Sequence, residues 1–425
     1  MLRQEEQQLL TRTGPGTAMG DLFRRFWLPA LLAHELPEAD CAPVQVKLLG
    51  ERLVAFRDST GRIAFIDEWC PHRRASLFYG RNEEAGLRCV YHGWKFDVTG
   101  TCVDMPNEPP QYEFKSRVRT TAYPGVEYGG LIWVYMGPPD LRPELPAFEW
   151  AHVGTDQRYL RKWHHESNYL QAMEGDIDSS HVNFLHASLS PPAEASAGAV
   201  LRRLVVMPRD RAPQFSVRET DYGLLIGARR NADENRYYWR ITSWMYPTYA
   251  LIPAPVGAYL GCNFRVPIDD EHCWSFSIRY HPDRPLSAEE LHDLDVGLGG
   301  PQLVPGTFRP VRNRANGYQL DREVQKTQSY TGILGGAHQQ DLVITETMEP
   351  TVDRTLERLG TSDTAIIAVR RLLMKAATDL QRGVEPFAAS HPGVYRVRAV
   401  ALDLEREVDF VDGARAFMTP PSVLA

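Results

Sequence analysis

Two cysteine–histidine pairs, Cys70/His72 and Cys89/His92, are separated by sixteen residues in the stretch CPHRRASLFYGRNEEAGLRCVYHGW. Two loops must meet to bring four such side chains together, and this requirement constrains the fold more than any other feature of the chain. Sulfur and imidazole nitrogen in equal number suit zinc or an iron–sulfur cluster. Zinc fingers usually pair like ligands, two cysteines and then two histidines. Here each segment supplies one of each, which fits a [2Fe–2S] cluster with one iron on Cys70 and Cys89 and the other on His72 and His92. Zinc remains the alternative reading of these four residues. Pro71 stiffens the first loop, Gly93 permits a tight turn, and Trp94 is placed to shield the site from water.

The surrounding pattern is β. Between Val44 and Met136 the runs VQVKLLG, RLVAFRD, IAFIDEW, LRCVYHGWKFD and LIWVYMG are broken by Gly, Pro and Asp, predicting a compact antiparallel β unit over residues 44–140. It closes at the proline-rich connector GPPDLRPELPAFEW. The preceding segment, residues 1–43, contains the amphipathic lead-in FRRFWLPALLAHEL and is expected to pack on the larger unit, residues 141–425. That unit should hold a helix over WHHESNYLQAMEGDIDSSHVNFLH (163–186) and one curved antiparallel sheet. The strands are LRRLVVM, QFSVRET, GLLIGARR, YYWRITSWMY, YALIPA, AYLGCNFRV and CWSFSIRYH. Helical pattern returns near Gln339–Thr347 and over 362–383, where Ser362 or Asp363 caps and Gly383 stops the helix. The fold class is therefore α+β.

A chain of 425 residues with six cysteines and no apolar leader is not a secreted disulfide scaffold, and a cytoplasmic location is expected. Cys41, Cys102, Cys262 and Cys273 lack partners at ligand spacing and read as small buried apolar residues. A net charge of −7 argues against nucleic acid as a partner. No apolar run approaches the roughly 18 residues that span a bilayer.

A second site is suggested by DIDSSHVNFLH. His181 and His186 stand in an i, i+5 relation, about 140° apart on a regular helix, so joint ligation requires the helix to end or bulge between them. Asp178 lies three residues before His181 and can accept that ring's free N–H. Glu174, one turn earlier, reads equally as a solvated or capping residue. Two histidines, one carboxylate and open positions make the facial triad of non-haem Fe(II) oxygenases. Periodicity does not choose the carboxylate among Asp341, Glu346 and Asp353.

Together the motifs resemble the oxygenase α-subunit of Rieske non-haem iron ring-hydroxylating oxygenases, most of all the phthalate and phenoxybenzoate dioxygenase branch. The matching parts are CPH…CVYHGW at 70–94, NYLQAMEGDIDSSHVNFLH at 168–186 and QQDLVITETMEPTVDRTLERLG at 339–360. The resemblance implies a Rieske β domain followed by a helix-grip, START-like catalytic domain. It implies that Cys70, His72, Cys89 and His92 bind the Rieske [2Fe–2S] cluster. It assigns the mononuclear Fe(II) to His181, His186 and Asp341, the last as the aspartate of the family's Gln-Asp pair. Asp178 would be the catalytic bridging aspartate, linking an iron-ligand histidine to a cluster histidine of the neighbouring subunit in a head-to-tail trimer, sometimes stacked as a hexamer. Glu349 departs from the pattern, since related sequences often have glycine there.

The resemblance further implies O2 as co-substrate and electrons from NAD(P)H through a separate reductase of flavin and ferredoxin type. The small-molecule substrate would be an aromatic carboxylate, phthalate-like or phenoxybenzoate-like, hydroxylated once or twice; O-demethylation of a methoxylated acid starts from the same chemistry. A Rieske-type electron carrier and a zinc-stapled binding protein are the alternatives from other classes. For the substrate pocket the sequence offers Gln171, Met173, Arg240, Trp244 and Tyr246. Arg202, Arg203, Arg229 and Arg230 are further guanidinium groups able to clamp a carboxylate.

Overall fold

The structure, a computed structural model, describes residues 2–112, 114–189, 207 and 209–420. Ten strands build the N-terminal half: β1 (Trp27–Leu32), β2 (Val44–Leu48), β3 (Glu51–Arg57), β4 (Ile63–Asp67), β5 (Arg81–Glu83), β6 (Gly86–Arg88), β7 (Lys95–Phe96), β8 (Cys102–Asp104), β9 (Ala122–Tyr128) and β10 (Leu131–Tyr135). A six-stranded antiparallel sheet runs β1-β10-β9-β4-β3-β2, and β5 to β8 form a small four-stranded sheet. Strands β3, β4 and β10 of the large sheet are buried on both faces, so their apolar runs do not alternate with polar residues. Period two divides them instead between two cores. Leu53, Ala55, Ile63 and Phe65 face the main core, whereas Val54, Phe56, Ala64 and Ile66 face a smaller one holding Cys70, Cys89 and Trp94.

The expected boundary at residue 43 does not follow this sheet. Helices α1 (Gln4–Thr11) and α2 (Ala18–Phe23) do pack on the C-terminal half, but β1 pairs with β10 inside the N-terminal sheet. WLPALL is buried at every position, so nothing in its pattern marks a strand.

The C-terminal half is built on β11 (Arg158–His165), β12 (Gln214–Thr220), β13 (Gly223–Asn231), β14 (Arg236–Met245), β15 (Tyr249–Ile252), β16 (Leu260–Pro267), β17 (Cys273–Tyr280) and β18 (Val400–Glu405). Their order is β11-β17-β16-β15-β14-β13-β12, with β18 beside the first half of β14. The strand expected at LRRLVVM falls at 201–206 outside the described residues, as do Arg202 and Arg203. The helix expected over 163–186 is shorter: α3 spans Tyr169–Ile177. Trp163, His164 and His165 instead complete β11 against Cys273–Ser275, and Asn168 caps α3 by accepting from the Leu170 N–H.

Helix α4 (Ala337–Thr347) carries the Gln-Asp pair, and α5 (Thr364–Gln381) lays an apolar stripe of Ala365, Val369, Leu373 and Ala377 into the main core. Gly383 ends α5 with φ +84° as expected, but Asp363 makes no cap to α5; its Oδ2 accepts from the Gly360 N–H. Both halves share the main core. Trp133 of β10 meets Phe264 of β16 edge to face at 5.8 Å, and the Tyr249 hydroxyl donates to the Trp27 carbonyl at 2.6 Å.

Candidate metal centres

The two ligand loops are built alike. In each, the cysteine N–H donates to the carbonyl five residues on, Ala75 or Trp94, while its carbonyl accepts from the residue four on, Arg74 or Gly93. Both of those fourth residues lie in the left-handed region, Arg74 at φ +62° and Gly93 at φ +80°. The loops thus present Cys70 and Cys89 side by side, buried, with His72 and His92 rings 4.5 Å apart. The thiols share a hydrogen bond that pushes the pKa of Cys70 up and draws that of Cys89 down to about 6. His92 Nδ1 is buried with no hydrogen-bond partner among the described residues. An orphaned imidazole nitrogen beside two touching thiols fits a cluster that takes sulfur and nitrogen ligands. Trp94 covers the site, stacked on His72 at 4.4 Å and anchored by donation from its Nε1 to Asn107 Oδ1.

Gly93 has no room for a side chain: a Cβ there would sit 2.6 Å from Pro106 Cγ. Gly93→Ala is therefore expected to cut acid-labile sulfide by roughly half or more, with far-UV dichroism unchanged. Full sulfide content in the variant would show that the loop geometry is not what holds the cluster.

The second centre forms where α3 ends. Asp178 is the C-cap, with extended backbone, and His181 opens a short 3-10 turn, so the helix breaks before the pair. His181 Nε2 and His186 Nε2 then lie 3.2 Å apart, and Asp341 Oδ1 stands 3.4 and 3.2 Å from them. The other ring nitrogens are held too: His181 Nδ1 lies 3.4 Å from Asp178 Oδ2, and His186 Nδ1 lies 2.7 Å from Gln340 Oε1. Burial disfavours a charged His181, but Asp178 and Asp341 outweigh it and raise its pKa to about 10 in the metal-free chain. Three ligand atoms within 4.8 Å of one another can hold a metal ion.

Of the three carboxylates left open by periodicity, Asp341 is the one that stands beside the two histidines. Glu346 accepts instead from the Glu166 N–H and the Tyr318 hydroxyl, and Asp353 from Thr355. Glu174 is neither a free surface residue nor a cap; it is half-buried between Arg354 and Arg370 and ties α3 to α5. Glu349 follows α4 at φ +71°, where glycine would be relaxed. Glu349→Gly is expected to raise the urea midpoint, a gain of about 0.5–1 kcal/mol after the glycine's unfolded-chain entropy is subtracted. An unchanged or lower midpoint would mean that the Glu349 backbone carries no strain.

A cavity of about 350 Å³ opens onto His181, His186 and Asp341. Val182, Ile252, Ala254, Ala258 and Leu298 give it apolar walls, while Arg240, Asn263 and Arg279 add polar groups. Of the five expected pocket residues only Arg240 lines it. Gln171 is a brace, donating to the Thr345 and Glu349 carbonyls, and Met173 is wholly in the core. Only the C-terminal end of α3, from Gly175, reaches the cavity, so residues one turn earlier cannot. Trp244 shares the parity of Arg240 on β14 but lies farther along, in the core with α5, and the Tyr246 hydroxyl donates to the Leu372 carbonyl of that helix. Arg230 is buried on the Ser179 carbonyl and Asn183, and Arg229 rests on Gln214.

Comparison with known proteins agrees with this geometry. A Rieske [2Fe-2S] domain model matches residues 26–123. A LigXa C-terminal domain like model matches residues 134–410, more than half of the chain. The phthalate 4,5-dioxygenase oxygenase subunit of Pseudomonas putida is 38% identical over 97% of this chain and 94% of its own length. The chain belongs to the Rieske non-haem iron oxygenases. The 3-chlorobenzoate-3,4-dioxygenase oxygenase subunit of Comamonas testosteroni is 36% identical over 99% of this chain and 96% of its own. The crystal structure of dicamba monooxygenase bound to dicamba shares the fold, with TM-score 0.57 at 20% identity over 85% of this chain and 99% of the other.

As a Rieske oxygenase subunit the chain uses a [2Fe–2S] cluster, a mononuclear iron and O2, with electrons from a separate reductase. Among the described residues no helix is long and apolar enough to cross a membrane. Reading the sequence missed Gln340 as the partner of His186, and His338 and Arg279 as cavity residues. His338 had a signal: it precedes Asp341 by three positions, hence the same face of α4.

Proposed function

We propose that this chain is a terminal oxygenase component that adds one or two oxygen atoms from O2 to an aromatic carboxylate. One observation carries the reading: a cavity sized for a substituted ring opens onto the histidine–aspartate triad and holds guanidinium groups in apolar walls. The relatives named for phthalate and 3-chlorobenzoate support the same substrate class.

Cys70, His72, Cys89 and His92 would hold the cluster, and His181, His186 and Asp341 the iron. When bound, the cluster supplies electrons singly and the mononuclear iron supplies the site of O2 activation. Asp178 keeps the proton on His181 Nδ1, leaving the Nε2 lone pair for metal, and Gln340 does the same for His186. The apolar walls exclude bulk water from the reacting side. Arg240, set against Ser179, orients the substrate anion.

The same reading makes the assembly a head-to-tail trimer, with a stacked hexamer as its extension, in which Asp178 faces the neighbouring subunit's cluster. Exposed Tyr79, Val90 and Tyr91 around the ligand loops support such a contact. The reductase would be of flavin and ferredoxin type, fed by NAD(P)H, and the setting cytoplasmic, consistent with six unpaired cysteines.

O-Demethylation is a second reading, favoured by the 5,5'-dehydrodivanillate O-demethylase oxygenase subunit of Sphingobium sp., 33% identical over 91% of this chain and 83% of its own. Turnover of aromatic acids with a surrogate reductase, followed by mass spectrometry, distinguishes the two: oxygen atoms gained without methyl loss support hydroxylation. Iron and sulfide analysis with electron paramagnetic resonance tests the class itself. Zinc in place of iron, or a cluster without the additional iron, would mark a binding protein or an electron carrier.

A further inference from the structure

We propose that Arg279 on β17 is a second specificity-determining residue, one that binds the anionic group of the substrate directly. The inference rests on the aromatic-carboxylate reading above and extends it to a residue that neither the sequence motifs nor the metal sites require.

The Arg279 side chain is buried against the cavity, and its hydrogen-bond partners among the described residues are all uncharged. Nη1 donates to Asn263 Oδ1 at 3.2 Å and to the Ile278 carbonyl at 3.0 Å; Nη2 donates to His338 Nε2 at 2.7 Å. To accept there, His338 must be neutral, and burial together with the Arg279 charge holds its pKa well below the ordinary value. Among the described residues no carboxylate lies within ion-pair distance of Arg279. Three other deeply buried guanidinium groups behave differently: Arg265 meets Asp176, and Arg354 and Arg370 meet Glu174.

The nearest acid along the hydrogen-bond chain is already engaged. Asn263 Nδ2 donates to Asp176 Oδ1 at 2.7 Å, but Asp176 accepts from Arg265 Nε and Nη2 at 2.7 and 2.8 Å. The row Arg265, Asp176, Asn263, Arg279 therefore carries two positive charges against one negative. A buried cation without its own counter-ion is unfavourable, and a ligand carboxylate would complete it.

Placement suits this role. His338 stands three residues before Asp341, about 4.5 Å along α4, so an anion on Arg279 leaves the ring of its bearer beside the triad. Gly261 on the neighbouring strand makes the guanidinium's position possible, since a Cβ there would lie 2.7 Å from Arg279 Nη1.

The test is anaerobic calorimetric titration of the metal-loaded holoenzyme with benzoate and phthalate, and with benzamide and phthalamide as uncharged counterparts. The wild type is expected to prefer the acids by about 10- to 100-fold, the range of a charge-assisted hydrogen bond. Arg279→Gln should lose most of that preference while its amide affinities stay within about twofold and its iron and sulfide contents hold. Arg279→Lys, which keeps the charge but not the fork, should retain part of it. Should the glutamine variant fail to retain iron, Gly261→Ala decides, because displacing the guanidinium must weaken acids and not amides. Equal weakening of acids and amides, or an intact preference, overturns the role of Arg279 and leaves the substrate reading standing. A wild type with no preference for acids overturns both.

Discussion

Asp178→Asn should retain both metals and lose about 10- to 100-fold in single-turnover rate, the range seen when a group that orients a metal-bound histidine is altered. The substitution is nearly isosteric, and the amide oxygen can still face His181 Nδ1, which lies 3.4 Å from the carboxylate now. The backbone turn that places His181 depends in part on the other oxygen, Asp178 Oδ1, accepting from the Ser180 N–H at 2.6 Å, and the single amide oxygen of asparagine can serve only one of these two donors. Charge changes as well. A carboxylate favours the proton on Nδ1 and makes Nε2 a stronger donor to metal, whereas a neutral amide does neither as well. If Asp178 also bridges to the next subunit's cluster, the loss appears in electron delivery. Reduced cluster should then persist in rapid-freeze resonance spectra after O2 is added. Wild-type kinetics in the variant would reject both roles.

Asp341→Ala should remove the mononuclear iron and abolish product formation while leaving the cluster intact. Iron content is expected to fall by about one third with sulfide and visible absorbance unchanged. The two imidazoles that remain cannot replace a carboxylate lying 3.2 and 3.4 Å from them. Nor can neighbouring acids move in, because Glu346 is buried on Tyr318 and the Glu166 N–H. Burial outweighs its hydrogen bonds and raises the Glu346 pKa to about 7, so it is partly protonated at neutral pH and a poor ligand. Normal iron occupancy in the variant would exclude Asp341 from the coordination sphere.

Ligand chemistry was the most legible part of the sequence, because Cys-x-His and Cys-x-x-His name both the atoms and the loops. That no single regular helix can present both His181 and His186 could be deduced from helical geometry alone, and α3 ends before the pair rather than between its members. Strands β12 to β17 were readable from their runs. Position along an element was harder. Gln171, Met173, Trp244 and Tyr246 lie close in sequence to pocket residues, yet the cavity meets only the last turn of α3 and, on β14, Arg240 and Thr242. Arg279 was hidden for a related reason: its role depends on Asp176 already binding Asn263 and Arg265, and hydrogen-bond partners more than eighty residues apart leave no local trace. β1 was missed because a strand covered on both faces has no periodicity to detect.

The wall of aromatic rings between the two halves has a practical consequence for anyone wishing to cut this molecule. Trp133 belongs to the cluster-bearing sheet, yet Phe148, Trp150, Tyr249 and Phe264, all beyond residue 140, pack against its ring. A fragment ending near residue 140 would turn that greasy surface outward and precipitate or self-associate. Swapping electron-storing modules between such enzymes therefore calls for transplanting the seam along with the module.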